Sequence, residues 1–151
     1  GRVSLTLSDP FCVSRHRDAF RAMIKSDVDL LYCNRAEMLS MFETDDFDAA
    51  LAQAATEVAI VACTDSENGA HILCGTDHWH VAAAPVQVVD ATGAGDLFAA
   101  AFLWALTHKY ALSDCGRIGN IAAAEVISHI GARPESDLNA LIAQAGLAPA
   151  T

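Results

Sequence analysis

Apolar and polar positions divide the chain into short stretches whose period changes repeatedly between two and three to four. Val3 to Leu7 alternates in the manner of a half-buried strand and stops at Asp9-Pro10. Ser14 is predicted to cap a helix running through Ala19, Phe20, Met23 and Ile24. Asp29 to Cys33 reads as a short buried strand ending at Asn34. A short helix carrying Glu37, Met38 and Met41 follows, then another over 47–55. Val58 to Cys63 is apolar at every position, as in a parallel strand covered on both faces. Asp65 to Gly69 is a turn, and Ala70 to Cys74 with His78 to Ala82 patterns as a hairpin about Gly75-Thr76-Asp77. Val86 to Val89 reads as a buried strand, and Leu97 to Leu106 as a buried helix with Phe98 and Trp104 in the core. Helices over 113–130 and 137–144 complete the pattern.

Strands alternating with helices predict an α/β fold, three layers about a mainly parallel sheet. Ligands of such sheets gather at the carboxyl ends of the strands. Three polar, turn-rich stretches lie there: Asn34 to Glu37, Thr64 to Gly69 and Asp90 to Asp96. No internal repeat, low-complexity tract or linker interrupts the 151 residues, which amount to one domain with enough chain for a substantial core.

Charge narrows the partners. A net charge of −10 argues against nucleic acid, whose phosphate backbone demands a basic face. It permits a nucleotide, because a local cradle of amides can hold phosphates within an acidic protein. No apolar run approaches the roughly 18 residues that a spanning helix needs, so no membrane partner is expected. The five cysteines form no CxxC pair and sit mostly in apolar runs, which suits free thiols in a reducing compartment. With no charged-then-apolar leader at the start, this predicts a cytoplasmic protein. The chain enters a strand directly after Gly1-Arg2, which suggests a portion upstream.

The richest chemistry lies in Asp90-Ala91-Thr92-Gly93-Ala94-Gly95-Asp96, between the predicted strand and the alanine-rich helix. Backbone N–H groups at a helix N-terminus lack intrahelical partners and carry the positive end of the dipole. Glycines allow that backbone to come close to an anion. A carboxylate at the rim repels a resting phosphate. Asp96 makes sense there as a general base taking a proton from a hydroxyl that attacks a phosphoryl group. The same residues also suit a plain glycine turn followed by an aspartate cap.

This stretch, continued by Leu97-Phe98 and Ala101-Phe102, resembles the second signature of the ribokinase/PfkB family of sugar and nucleoside kinases. The resemblance implies a three-layer αβα ribokinase-like, Rossmann-like fold with a mainly parallel sheet. It makes Asp96 the catalytic base and the amides of Gly93, Ala94 and Gly95 the anion hole. Asp90 and Thr92 fall where some members bind a monovalent cation such as K⁺.

Asn34-Arg35-Ala36-Glu37 places an amide and a carboxylate one helical turn apart, able to share a hydrated Mg²⁺ or to form an ordinary cap. It resembles the family's Asn-x-x-Glu motif and stands upstream of the glycine motif in the family's order. Thr64-Asp65-Ser66-Glu67-Asn68-Gly69 resembles the family's nucleotide-binding turn at Thr64 and Gly69, with Ser66 where glycine is usual. Asn120 and the terminal Gly131-Ala132 of the second long helix resemble the wall of the adenine pocket, while Ala122 to Ala124 equally suit close helix packing. His78 and His80 share a strand face without a third ligand nearby and read as exposed histidines. Arg15-His16-Arg17 reads as a solvated helix start.

Together these imply an ATP- and Mg²⁺-dependent kinase acting on a hydroxyl of a small sugar or nucleoside. Asp9 to Arg17 and Ser128 to Pro134 look most like bacterial adenosine-kinase-type members. Family members are considerably longer, so residues 1–151 correspond to the C-terminal, nucleotide-binding and catalytic-base portion of an incomplete domain. The alternative is a nucleotide-binding fragment without turnover, and self-association into a homo-oligomer would shield faces that the absent half covers. A dinucleotide oxidoreductase is disfavoured, since Gly93-Ala94-Gly95 lacks the third glycine and the downstream acidic residue.

Overall fold

The computed structural model describes residues 1–150. The chain forms two compact units, one of Gly1–Asp65 with His71–Trp79, the other of Ser66–Ala70 with the chain from His80 onward.

The first unit begins with β1 (Ser4–Thr6), α1 (Pro10–Ser26), β2 (Leu30–Asn34), α2 (Arg35–Phe42), α3 (Phe47–Glu57) and β3 (Ile60–Thr64). β1 pairs with β2 and β2 with β3, all parallel, in a register that sets Leu31 beside Val61, Cys33 beside Cys63 and Asn34 beside Thr64. The apolar run of β3 is buried as expected, and Leu7, Val13, Leu31, Met38, Leu51 and Val61 form the centre of the core. Each such side chain contributes on the order of 1.5–3 kcal/mol through burial.

α1 starts earlier than the sequence reading places it. Asp9, not Ser14, caps it: Oδ1 of Asp9 accepts the Cys12 N–H at 2.8 Å, and Pro10 takes the first turn. Proline suits that position because its missing N–H would have no helical partner. Ser14 lies inside the helix, which kinks at His16 (φ −124°, ψ 25°).

β4 (Ala70–Cys74) and β5 (Asp77–Val81) extend the sheet, giving the order β1-β2-β3-β4-β5. Their two-residue link, Gly75-Thr76, is too short for a parallel crossover, so they form the predicted hairpin.

The second unit is built on α4 (Ala94–Thr107), α5 (Leu112–Ile127) and α6 (Leu138–Gln144). α4 and α5 pack closely because Gly119 lies under the ring of Phe98: a Cβ there would stand 2.7 Å from the ring. Phe98 is core as predicted. Trp104 is not: it is 37% exposed and stacks on His108, with ring centroids 4.3 Å apart.

The predicted strand at Val86 to Val89 is absent, and Val86, Val88 and Val89 are 37–60% exposed. A strand needs a ladder partner, and the amides here serve a helix end instead. Val89 and Asp90 both donate to the Ile127 carbonyl, at 2.8 and 3.3 Å, satisfying an acceptor that the end of α5 leaves open. All five cysteines are free thiols, Cys33, Cys63 and Cys115 buried, Cys12 and Cys74 partly exposed. Among the described residues no helix is long and apolar enough to cross a membrane.

Candidate active site

Three of the predicted residues meet at the ends of β2 and β3 in the first unit. Asn34 and Glu37 form a reciprocal capping box: Oδ1 of Asn34 accepts the Glu37 N–H at 2.9 Å, and Oε2 of Glu37 accepts the Asn34 N–H at 2.9 Å. Nδ2 of Asn34 donates to the other Glu37 oxygen at 2.8 Å. Glu37 is 4% exposed, and burial pushes its carboxyl pKa up against the lowering effect of the Asn34 N–H. Each carboxylate oxygen keeps a spare lone pair. A buried carboxylate in that state fits a hydrated cation. Thr64 stands beside Asn34 in the register. Arg35 ties the same two strand ends together through Asp65, at 3.1 Å.

The second unit holds the glycine motif. Gly93, with φ +83°, is the N-cap of α4, and its carbonyl accepts the first helical bond from Leu97 at 2.9 Å. No side chain caps this helix, whereas Asp9, Asn34, Asp46 and Asp137 cap α1, α2, α3 and α6. Asp96 is therefore not the cap. It lies within the first turn, exposed. A Cβ built on Gly95 meets nothing within 4 Å, and no side chain sits on this helix end, although the Ala94 N–H donates to the Ala91 carbonyl at 3.3 Å. The arrangement fits an anion.

Asp90 anchors this turn. Its Oδ1 accepts the Thr92 N–H at 2.9 Å and its Oδ2 the Gly131 N–H at 3.0 Å. The Thr92 side chain, then these backbone donors, hold its pKa down to about 2. Ala132 packs so closely on Gly93 that a Cβ there would lie 2.8 Å from the Ala132 Cβ.

Gly69 and Asn120 converge on one piece of backbone. A Cβ on Gly69 would stand 2.0 Å from the Val81 carbonyl oxygen, and Nδ2 of Asn120 donates to the carbonyls of Val81 and Ala82 at 3.2 and 2.9 Å. Both residues hold the chain that leaves β5. Elsewhere, His78 hydrogen-bonds His71 at 2.9 Å and His80 bonds the Asn68 carbonyl at 2.7 Å. Arg17 pairs with Glu43 at 2.9 Å.

Sequence reasoning missed Glu125. It is 8% exposed on the packed face of α5, and its Oε1 accepts the N–H groups of Glu135 and Ser136 at 2.9 and 2.7 Å. The lone signal is a carboxylate following Ala122-Ala123-Ala124 within an otherwise small and apolar face.

Residues 2–138 match the model of the pfkB family carbohydrate kinases. The chain belongs to that family. The crystal structure of a probable sugar kinase from Rhizobium etli superposes with a TM-score of 0.95 at 48% identity, covering 97% of this chain and 45% of that one. Adenosine kinase from Sinorhizobium meliloti superposes with a TM-score of 0.92 at 43% identity, covering 95% and 45%. An uncharacterized sugar kinase of Archaeoglobus fulgidus is 37% identical over 100 residues, 66% of this chain and 40% of that protein. The chain thus spans less than half the length of these relatives. The fold is the α/β fold expected from the pattern, part of the ribokinase-like αβα fold that the resemblance implied. Among pfkB kinases the departure at Ser66 has a structural counterpart: Ser66 sits at φ +50°, a left-handed conformation that favours glycine.

Proposed function

We propose that the chain carries the nucleotide-binding and phosphoryl-transfer half of an ATP-dependent kinase acting on a hydroxyl of a sugar or nucleoside. The observation that carries this reading is the turn at Gly93–Asp96: an uncapped helix N-terminus, open space at Gly95 and a solvent-facing carboxylate two residues into the turn after Ala94. The amides of Gly93, Ala94 and Gly95 receive charge that develops on the transferred phosphoryl group, where preorganised donors act most strongly. The acceptor oxygen bonds to phosphorus as the bond to the leaving ADP oxygen breaks, and Asp96 takes the hydroxyl proton.

Asn34 and Glu37 would hold Mg²⁺ through water, and the ion would neutralise phosphate charge. Thr64, Gly69, Asn120 and Gly131 would flank the nucleotide. For Gly69 and Asn120 this works through the Val81–Ala82 backbone that they fix. Asp90, a carboxylate fixed beside Thr92, would hold a weakly bound K⁺. A nucleoside acceptor of the adenosine type is favoured by the 43% identity to an adenosine kinase. The protein is read as cytoplasmic, without nucleic-acid or membrane partners.

A second reading is nucleotide binding by these 151 residues without turnover. It is favoured by the openness of the motif. A cavity of about 500 Å³ is lined by residues such as Leu51, Ala55, Leu73 and His78, another of about 340 Å³ by Ser14 to Ala19, and neither by a motif residue. Phosphoryl transfer needs closure that excludes water.

Coupled ATP consumption with adenosine or ribose separates the two readings. Turnover that falls at least about 10²-fold in Asp96→Asn, at nearly constant ATP affinity, supports the kinase with its base. ATP binding without turnover supports the second reading, and undiminished turnover in the variant removes Asp96 as the base.

A further inference from the structure

Glu125 is a buried carboxylate that the proposed chemistry does not use. Both of its oxygens nevertheless have partners. Oε1 accepts two backbone N–H groups, from Glu135 and Ser136, and Oε2 lies 3.4 Å from Nε2 of His129. Burial alone would raise its pKa, but the Ser136 and Glu135 N–H groups and the Ser136 and His129 side chains outweigh it, leaving the pKa lowered. Those contacts tie down the far end of the segment 131–136. Its near end is held by the Gly131 N–H on Asp90, and its second residue, Ala132, packs on Gly93. Asp90 in turn holds Thr92. One segment, clamped at both ends, therefore presses on the first residue of the anion turn.

We infer that Glu125 is a positioning residue for the Gly93–Asp96 turn. By fixing Glu135 and Ser136 it holds Ala132 against Gly93 and Gly131 against Asp90, so that the uncapped amides are preorganised before an anion arrives. The inference rests on the proposed reading of that turn as the phosphate cradle. A carboxylate that merely closed the end of α5 would have no influence at Gly93.

Glu125→Leu keeps the volume, adds an apolar side chain to a buried face and removes both acceptors. Glu125→Gln keeps an acceptor oxygen. Ile118→Ala weakens the same helix through a core cavity away from the segment. Two readings are taken on each folded protein: amide exchange at Thr92, Leu97 and Gly131, whose N–H groups are hydrogen-bonded, and Mg·ATP affinity by calorimetry.

Glu125→Leu is expected to speed exchange at those amides by about tenfold, leave the centre of α4 unchanged and weaken Mg·ATP binding by about tenfold. Glu125→Gln is expected to stay within about threefold of the wild type, and Ile118→Ala to leave affinity unchanged. Wild-type exchange and affinity in Glu125→Leu would overturn the inference. So would equal changes in Ile118→Ala, which would mark the effect as loss of global stability. If the wild type binds no Mg·ATP, the cradle reading fails, while the exchange comparison still decides whether Glu125 orders the turn.

Discussion

Oδ2 of Asp90 accepts the backbone N–H of Gly131 at 3.0 Å, across 41 residues of sequence. This bond joins the start of the glycine motif to the segment that follows α5, and it makes Asp90 a tie as well as a candidate ligand. Its pKa, held down to about 2 from an ordinary 3.8, links the tie to pH. A depressed folded-state pKa contributes stability that is complete above the unfolded value and is lost as pH falls through the folded one. Asp90→Asn should therefore lower the urea midpoint at pH 6. The gap to the wild type should narrow between about pH 4 and pH 2, as measured by denaturation at a series of pH values. A gap that widens on acidification would contradict the assignment.

Ser66 occupies a left-handed backbone conformation, φ +50°, three residues before Gly69 at φ +98°. A side chain there costs roughly 1–2 kcal/mol, and glycine recovers most of that while losing some in unfolded-chain entropy. Ser66→Gly should raise stability by roughly 0.5 kcal/mol, visible as a small rise in Tm. A lower Tm would show that the serine hydroxyl supports the turn.

Gly93 and Gly95 lie two apart, yet they should respond oppositely to alanine. At Gly93 the positive φ and the 2.8 Å approach to Ala132 both oppose a Cβ. Gly93→Ala should lose more than about 1 kcal/mol. At Gly95 nothing lies within 4 Å and the position is helical, so Gly95→Ala should be neutral or stabilising by up to about 1 kcal/mol. Chemical denaturation of both variants checks the pair.

Much of this was legible in the chain because it was local. The all-apolar Val58 to Cys63 gave β3, the spacing around Gly75 gave the hairpin, and the glycine motif gave an open helix N-terminus. What escaped depends on distant partners. Val86 to Val89 carries a strand pattern, but the Ile127 carbonyl, far along the chain, captures the amides of Val89 and Asp90. Trp104 follows the apolar run of α4 yet stacks on His108 at the surface, since periodicity does not say which face a neighbour covers. Within the site, Asn34 and Glu37 were visible through their spacing. The meeting of Gly69 and Asn120 on the backbone at Val81 and Ala82, and the hold of Glu125 on Ser136, needed the folded chain.

The central claim is that the turn at Gly93–Asp96 holds a phosphate. Calorimetric titration of Mg·ATP into the wild type and Gly95→Val tests it most directly, because a Cβ at Gly95 meets nothing within 4 Å. Both proteins should show the same helical content. The wild type should bind weakly but measurably, and the variant should lose at least about tenfold in affinity, since the valine occupies the room that the anion needs. Equal affinity in two folded proteins would contradict the claim and move the nucleotide elsewhere.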